Sequence, residues 1–226
     1  MTILCVSDHR DPLVYSSLIK ERFGKVDVVL GAGDLLLEYY GFIVSSLNRP
    51  LFFVFGNHNL AKIGDYRQKY SSTLHDTNAV GPYIKPSYGS TYIGGKFGSV
   101  GGLLIAGLGG CRRYNSGINQ FTEFQMFRRM LRLVPKLLFN RLRYGRYVDI
   151  LLTHAPPWDI GDLPDTCHRG FKVFLLFMRW FRPAYLIHGH VHLYDLNAKR
   201  VSKFACTTVI NVFNHYVFEY EVPHGT

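Results

Sequence analysis

At 226 residues, with 47% hydrophobic, 15% aromatic and 19% charged positions, the chain is long enough for one ordinary domain with a sizeable core and lies far from compositions that stay disordered. Twenty-six Lys and Arg against 16 Asp and Glu give a formal net charge of +10, which predicts attraction to something anionic: nucleic acid, a phosphorylated metabolite or an acidic membrane surface. The apolar stretch Phe171 to Phe181 is interrupted by Lys172 and Arg179 and falls short of the roughly 20 residues a spanning helix needs. Cys5, Cys111, Cys167 and Cys206 show no Cys-x-x-Cys spacing, and the run beginning at Ile3 follows no basic leader, so a reducing cytoplasm is expected.

In chain order, Ile3 to Val6, Val26 to Leu30 and Leu51 to Phe55 are short, apolar, rich in β-branched or aromatic residues and bounded by turn residues, as buried strands are. Leu13 to Phe23 and Leu35 to Leu47, between them, are helix-length. The alternation predicts an α/β fold with a parallel sheet covered by helices. Gly81 to Gly110 holds ten glycines among short apolar pieces such as Tyr92-Ile93 and Leu103 to Ala106, where a second sheet is expected to start. Phe121 to about Leu142 is helical in pattern, with Pro135 marking a break. Residues Cys111 to Arg146 carry nine Lys or Arg against Glu123 alone, so +8 of the net charge is local. A strand at Val148 to Thr153, a helix at Phe171 to Phe181, a strand at Tyr185 to His188 and a β-rich tail over Thr207 to Tyr220 complete the chain. The expected organisation is one domain over 1–226 with a basic helical insertion or cap at 111–147.

Each predicted strand end carries a carboxylate, an amide or an imidazole, and open α/β sheets place their sites at those ends. Asp8 follows the first strand, Gly33-Asp34 the second, Gly56-Asn57-His58 the third, His154 the strand ending at Thr153, and Gly189-His190-Val191-His192 the strand ending at His188. Taken singly, Asp8 and Asp34 could be helix caps and His58 and His154 hydrogen-bonded core histidines. Gly189-His190-Val191-His192 is harder to explain away, because two histidines two apart on a strand project to one face.

In this order the segments resemble the calcineurin-like metallophosphoesterase superfamily, whose pattern is Asp-x-His, Gly-Asp, Gly-Asn-His-(Asp/Glu), a lone His, and Gly-His-x-His. The resemblance runs from Ile3 to His192. It implies a four-layer αββα sandwich of two mixed sheets flanked by helices, with a dinuclear metal site at the strand ends. It also implies hydrolysis of a phosphomonoester or phosphodiester. Carried over residue by residue, Asp34 bridges two metals, Asp8 and His192 hold the first, and Asn57, His154 and His190 hold the second. His58 becomes the acid beside the phosphate, with Arg10 and Asn57 also in reach of it. Mixed carboxylate, amide and imidazole ligands suit Mn, Fe or Zn better than Ca or Mg. Two cations about 3.5–4 Å apart lower the pKa of a bridging water and stabilise an in-line displacement, so the nucleophile is expected to be a bridging hydroxide.

The first motif departs from the pattern, reading Asp8-His9-Arg10. Arginine cannot ligate, because its guanidinium keeps its proton. Three arrangements remain open: a weakened first site completed by water, Arg10 supplying positive charge in the metal's place, or an irregular turn bringing His9 round as a ligand. Asn59 stands where an acid usually follows His58, which would leave His58 less basic. These departures keep open a second class of reading, a degenerate member acting as a binding or scaffold module.

Arg112 and Arg113, after Gly109-Gly110, are candidates for gripping phosphate, and the loop after His154 holds Asp159, Asp162, Asp165 and His168 near the expected metals. The segment Phe121 to Leu142 interleaves Phe124, Met126, Phe127, Met130, Leu131 and Leu137 with Arg128, Arg129, Arg132 and Lys136. It reads as a cap binding nucleic-acid backbone, as an amphipathic face on anionic lipid, or as a surface helix with a core-facing stripe. The expected substrate is a phosphorylated small molecule, nucleotide or other anionic phosphoester, with nuclease and phospholipid-type chemistry both open.

Overall fold

The computed structural model describes residues 1–60, 63–64, 88–195 and 197–223, so the start of the glycine-rich segment, 81–87, lies outside the described residues. From the N-terminus, β1 (Thr2–Ser7) is followed by α1 (Ile19–Phe23), β2 (Val28–Gly31), α2 (Leu37–Leu47), β3 (Leu51–Phe53) and β4 (Ser90–Tyr92). These four strands lie side by side and parallel. Tyr92 therefore closes the first sheet, and the second begins with β5 (Phe97–Val100) and β6 (Leu103–Leu108). A small parallel pair, β7 (Cys111–Arg112) and β8 (Gln120–Phe121), leads into α3 (Glu123–Leu131) and α4 (Val134–Tyr144). Next come β9 (Ile150–Thr153), α5 (Lys172–Phe181), β10 (Tyr185–His188), β11 (Val201–Phe204) and β12 (Thr207–Asn211). The second sheet has the order β11-β12-β10-β9-β6-β5, and β13 (Asn214–Glu219) returns to pair antiparallel with β1.

The layering follows from the two-residue period of the strands. In β1, Ile3 and Cys5 face the second sheet and, with Leu30 and Val54 of their own side, form an apolar sandwich with Ile105, Leu152 and Ile187. Leu4 and Val6 face the other way, onto Phe23 of α1 and Tyr40, Ile43 and Leu47 of α2. The second sheet repeats the arrangement outward: Ala106, Leu108, Leu151 and Leu186 pack on Met126, Met130, Leu137, Phe174 and Phe177 of α3, α4 and α5. Central strands buried on both faces need continuous apolar runs, which explains why they stood out in the sequence. The result is helix, sheet, sheet, helix.

One helix differs from expectation. The stretch from Leu13 is helical only from Ile19, because Asp11 draws the chain into turns: its carboxylate accepts the Leu13 N–H at 2.7 Å and its carbonyl the Tyr15 N–H at 2.8 Å. The basic segment breaks near Pro135, as expected, into two helices. Thr122 and Gln125 form a capping box that starts α3, and Pro135 sits in the first turn of α4, where its missing N–H costs nothing. Among the described residues, no helix is long and apolar enough to cross a membrane.

Candidate metal centre

The chemistry-bearing residues sit just past the C-terminal ends of β1, β2, β3, β9 and β10, so both sheets deliver side chains to one edge of the sandwich. Strands must turn abruptly there, and Asp8 (φ 65°), Asp34 (φ 57°) and His190 (φ 68°) all take left-handed conformations that non-glycine residues avoid. Glycine is required where the loops touch: a Cβ on Gly33 (φ 103°) would lie 2.6 Å from the Gly56 nitrogen and 2.7 Å from Nδ1 of His154. The left-handed turn at His190 also corrects the strand argument for the paired histidines. β10 ends at His188, and the two rings diverge, His190 toward His154 and His192 toward Asp8.

One ligating atom from each of Asp34, His154 and His190 lies within 4.8 Å of the others, and all three residues are buried. His154 Nε2 is 3.3 Å from Asp34 Oδ2 and 3.2 Å from Asn57 Oδ1. Its other nitrogen faces the Ala32 carbonyl at 2.8 Å; a carbonyl only accepts, so Nδ1 carries a proton, and loss of the second proton, from Nε2, would turn a lone pair toward the cluster. His190 is fixed in the same way from the opposite nitrogen, with Nε2 donating to the Cys167 carbonyl at 2.8 Å. Asp34 Oδ1 accepts the His58 N–H at 2.8 Å, while the His58 side chain is exposed. Asn59 Nδ2 donates to the Asp34 carbonyl at 2.9 Å, so the residue that replaces the usual acid braces the loop.

Asp8 forms the second focus. Its carboxylate, 1% exposed, accepts the His190 N–H at 3.0 Å and lies 3.9 Å from His192 Nε2. The His9 N–H donates to the Ser7 carbonyl at 2.7 Å, closing a three-residue turn on Asp8. That turn brings the His9 ring 5.0 Å from the His192 ring. The Arg10 guanidinium instead lies 4.4 Å over Tyr15 and lines a cleft of about 350 Å³ with Asp8, Asp34, Tyr39 and Asn59.

The electrostatics call for a cation. Burial pushes the Asp8 carboxyl up; the charge on His154 opposes this and that on Asp34 adds to it. Burial acts on Asp34 too, but the charge and hydrogen bond of His154, with the His58 N–H, outweigh it and hold Asp34 well below the usual carboxylate range. His154 rises to about 9 despite its burial, because Asp34 and Asp8 stabilise its charged form. His190 falls to about 3, through burial and then repulsion from His154. Two buried carboxylates, an amide oxygen and imidazoles with lone pairs turned inward fit a divalent transition ion, which would replace the proton on His154.

The remaining candidates have partners of their own. Arg112 rests 5.1 Å from the Trp158 ring, and Arg113 donates to Gln125 Oε1 at 3.1 Å. Asp162 and Asp165 accept main-chain N–H groups of their own loop, and Asp159 sits 3.5 Å from Arg169. His168 does approach the centre, its ring 5.2 Å from that of His190. Sequence reasoning missed Tyr114 and Asn119. Tyr114 Oη accepts from Asn57 Nδ2 at 3.3 Å, and Asn119 Nδ2 donates to the Phe55 and Gly56 carbonyls. These contacts span more than fifty residues, and no local pattern announces them.

A sequence model of the calcineurin-like phosphoesterases matches residues 1–194, which contain every residue of both foci. The chain belongs to the calcineurin-like phosphoesterase family. The fold agrees: one solved structure superposes with a TM-score of 0.64 at 14% identity, covering 96% of this chain and 93% of its own. The protein TT1561 of Thermus thermophilus superposes at 0.59 and 15% identity, covering 94% and 89%. A comparison with curated proteins found no match. This family typically binds divalent metal ions and acts on phosphoesters, and the Asp34, His154 and His190 cluster is where such a metal fits.

Proposed function

We propose that this family member hydrolyses a phosphomonoester or phosphodiester with two divalent transition ions, Mn in preference to Fe or Zn. The observation that carries the reading is the convergence of Asp34, His154 and His190, with Asn57 against His154, at the ends of strands from both sheets. We assign Asn57, His154 and His190 to one ion, Asp8 and His192 to the other, and Asp34, which bonds His154 and feels Asp8, to both. His9, whose ring lies 5.0 Å from that of His192, would serve the Asp8 ion in the place that Arg10 cannot fill. When bound, such ions lower the pKa of a coordinated water and take up phosphoryl charge.

The chain's own groups then divide the work. Arg10, in the cleft beside both aspartates, holds the non-reacting phosphoryl oxygens, for which its planar donors are suited. His58 is exposed next to Asn57 and gives its proton to the leaving oxygen. Tyr15, Leu35, Leu36 and Tyr39 line the same cleft together with Glu38, so a leaving group with an apolar body finds apolar surface there. Residues 1–226 work as one unit in this reading, with 111–147 inserted between the adjacent parallel strands β6 and β9.

The test is hydrolysis of p-nitrophenyl phosphate and bis-p-nitrophenyl phosphate by protein loaded with Mn, against chelated protein and Asp34→Asn. The expected loss in either control is on the order of 100-fold or more. Stoichiometric metal binding without cleavage of any ester in a nucleotide and phospholipid panel would overturn the reading in favour of a scaffold.

A further inference from the structure

Helix α4 has two apolar faces, and only one is used. At 100° per residue, Leu137 and Asn140 turn into the core, while Leu138, Phe139 and Leu142 fall on the opposite side. Those three are 49%, 52% and 88% exposed, and Phe124 and Leu131 of α3 add exposures of 66% and 43%. A single exposed leucine is ordinary on a helix, but Leu138, Phe139 and Leu142 lie next to one another at helical spacing and form one apolar strip. Basic side chains flank the strip: Lys136, Arg141 and Arg143 are all exposed, and Lys136 Nζ lies 4.5 Å from the Phe139 ring centroid. Helix α4 carries no acidic residue, and Glu123, the one acid of the segment, is occupied by the Val173 N–H at 2.6 Å.

We propose that this face docks the protein, in the plane of the interface, on a bilayer containing anionic lipid. Apolar side chains enter the acyl boundary while guanidinium and ammonium groups stay among the headgroup phosphates, the division of labour that flanking Lys and Arg perform at such surfaces. Charge complementarity selects this occupant over the others. A second copy would bring the same cationic patch against itself. A nucleic-acid backbone would satisfy the arginines but offers nothing to Leu138 and Leu142. The inference stands on α4 alone and does not depend on the phosphoesterase reading.

The experiment is sedimentation of the full chain with phosphatidylcholine vesicles, with and without about a third phosphatidylglycerol, at about 0.15 M salt. Binding is expected only to the anionic vesicles. The Leu138→Ser/Leu142→Ser pair keeps every charge and should bind at least about tenfold more weakly, since each lost leucine removes buried apolar area. The Arg141→Gln/Arg143→Gln pair should lose about 25-fold, at about fivefold per charge near the surface. All four positions are exposed, so both variants should keep wild-type circular dichroism and metal content. Absence of binding to anionic vesicles overturns the proposal, as does wild-type binding by the leucine pair. A lipid-free dimer abolished by the leucine pair, without vesicle binding, would assign the face to a second copy.

Discussion

Asn119, just before β8, grips the loop that carries Asn57, and replacing it separates the grip from the backbone. Its Nδ2 donates to the Phe55 carbonyl at 3.1 Å and to the Gly56 carbonyl, from a position 5% exposed. Phe55 keeps a partner when the amide is removed, because the Gly110 N–H also reaches it at 2.8 Å. The Gly56 carbonyl is left buried with its donor gone. One ordinary bond lost, at ~1 kcal/mol, and one acceptor stranded, at ~1–3 kcal/mol, give about 2–4 kcal/mol for Asn119→Gly. Asn119 has a φ of 61°, which glycine tolerates and alanine does not, so Asn119→Ala should cost about 1 kcal/mol more. For a chain of this size each kcal/mol moves the melting temperature by about 2–4 °C, so the glycine variant should melt roughly 4–16 °C lower and the alanine variant roughly 6–20 °C lower. Gly56 directly precedes Asn57, so metal affinity, measured by titration into apoprotein, should fall about 10–100-fold, as when outer supports of a metal site are removed. A glycine variant melting within about 2 °C of wild type, with unchanged metal affinity, would show that the loop is held by something else.

The pH dependence of metal stabilisation follows from His154. Its folded-state value of about 9 lies above the ordinary 6.5, so in metal-free protein its stabilising contribution is complete below 6.5 and lost as pH rises through 9. Asp34, held low, contributes above its ordinary 3.8 and loses that contribution as pH falls through its folded value. A metal needs His154 neutral and must expel its proton, so the gap in melting temperature between Mn-loaded and chelated protein should widen from about pH 6 to about pH 9. A flat gap would contradict the ion pair at the heart of the site. At the other focus, His9→Gln should weaken retention of the Asp8 ion about tenfold or more, whereas Arg10→Gln should leave metal content unchanged and raise KM for phosphoester. Loss of metal with Arg10→Gln would reverse that assignment.

What the sequence disclosed and what it hid divide along a physical line. The strands were legible because a strand buried on both faces must be apolar along its length, as Ile3 to Val6 and Ile150 to Leu152 are. The metal-ligating candidates were legible because parallel strands leave their loops at one edge, so a polar residue after each apolar run is already a three-dimensional statement. Extent and direction were less so. The residues after Leu13 carry a helix-length apolar pattern, yet the Asp11 turn delays the helix to Ile19. His190 and His192 look like a strand pair, yet the left-handed turn at His190 sends the two rings to different foci.

The turn at Asp8 shows why a motif read letter by letter misleads. A strand-like Asp8-His9-Arg10 would put Asp8 and Arg10 on one side and His9 on the other, making the arginine look like a ligand lost. With Asp8 at a φ of 65° and the His9 N–H closed onto the Ser7 carbonyl, the chain reverses within three residues, and His9 comes to the side of His192. The cation then has a place of its own, in the cleft over Tyr15, where a phosphoryl group would need positive charge. In the proposed reading the same three residues that depart from the family's spacing would supply an imidazole to one focus and a guanidinium to the cleft. The backbone angle at Asp8 is what makes that reading different from the loss of a ligand, and only the tolerance of aspartate for a positive φ hints at it in the sequence.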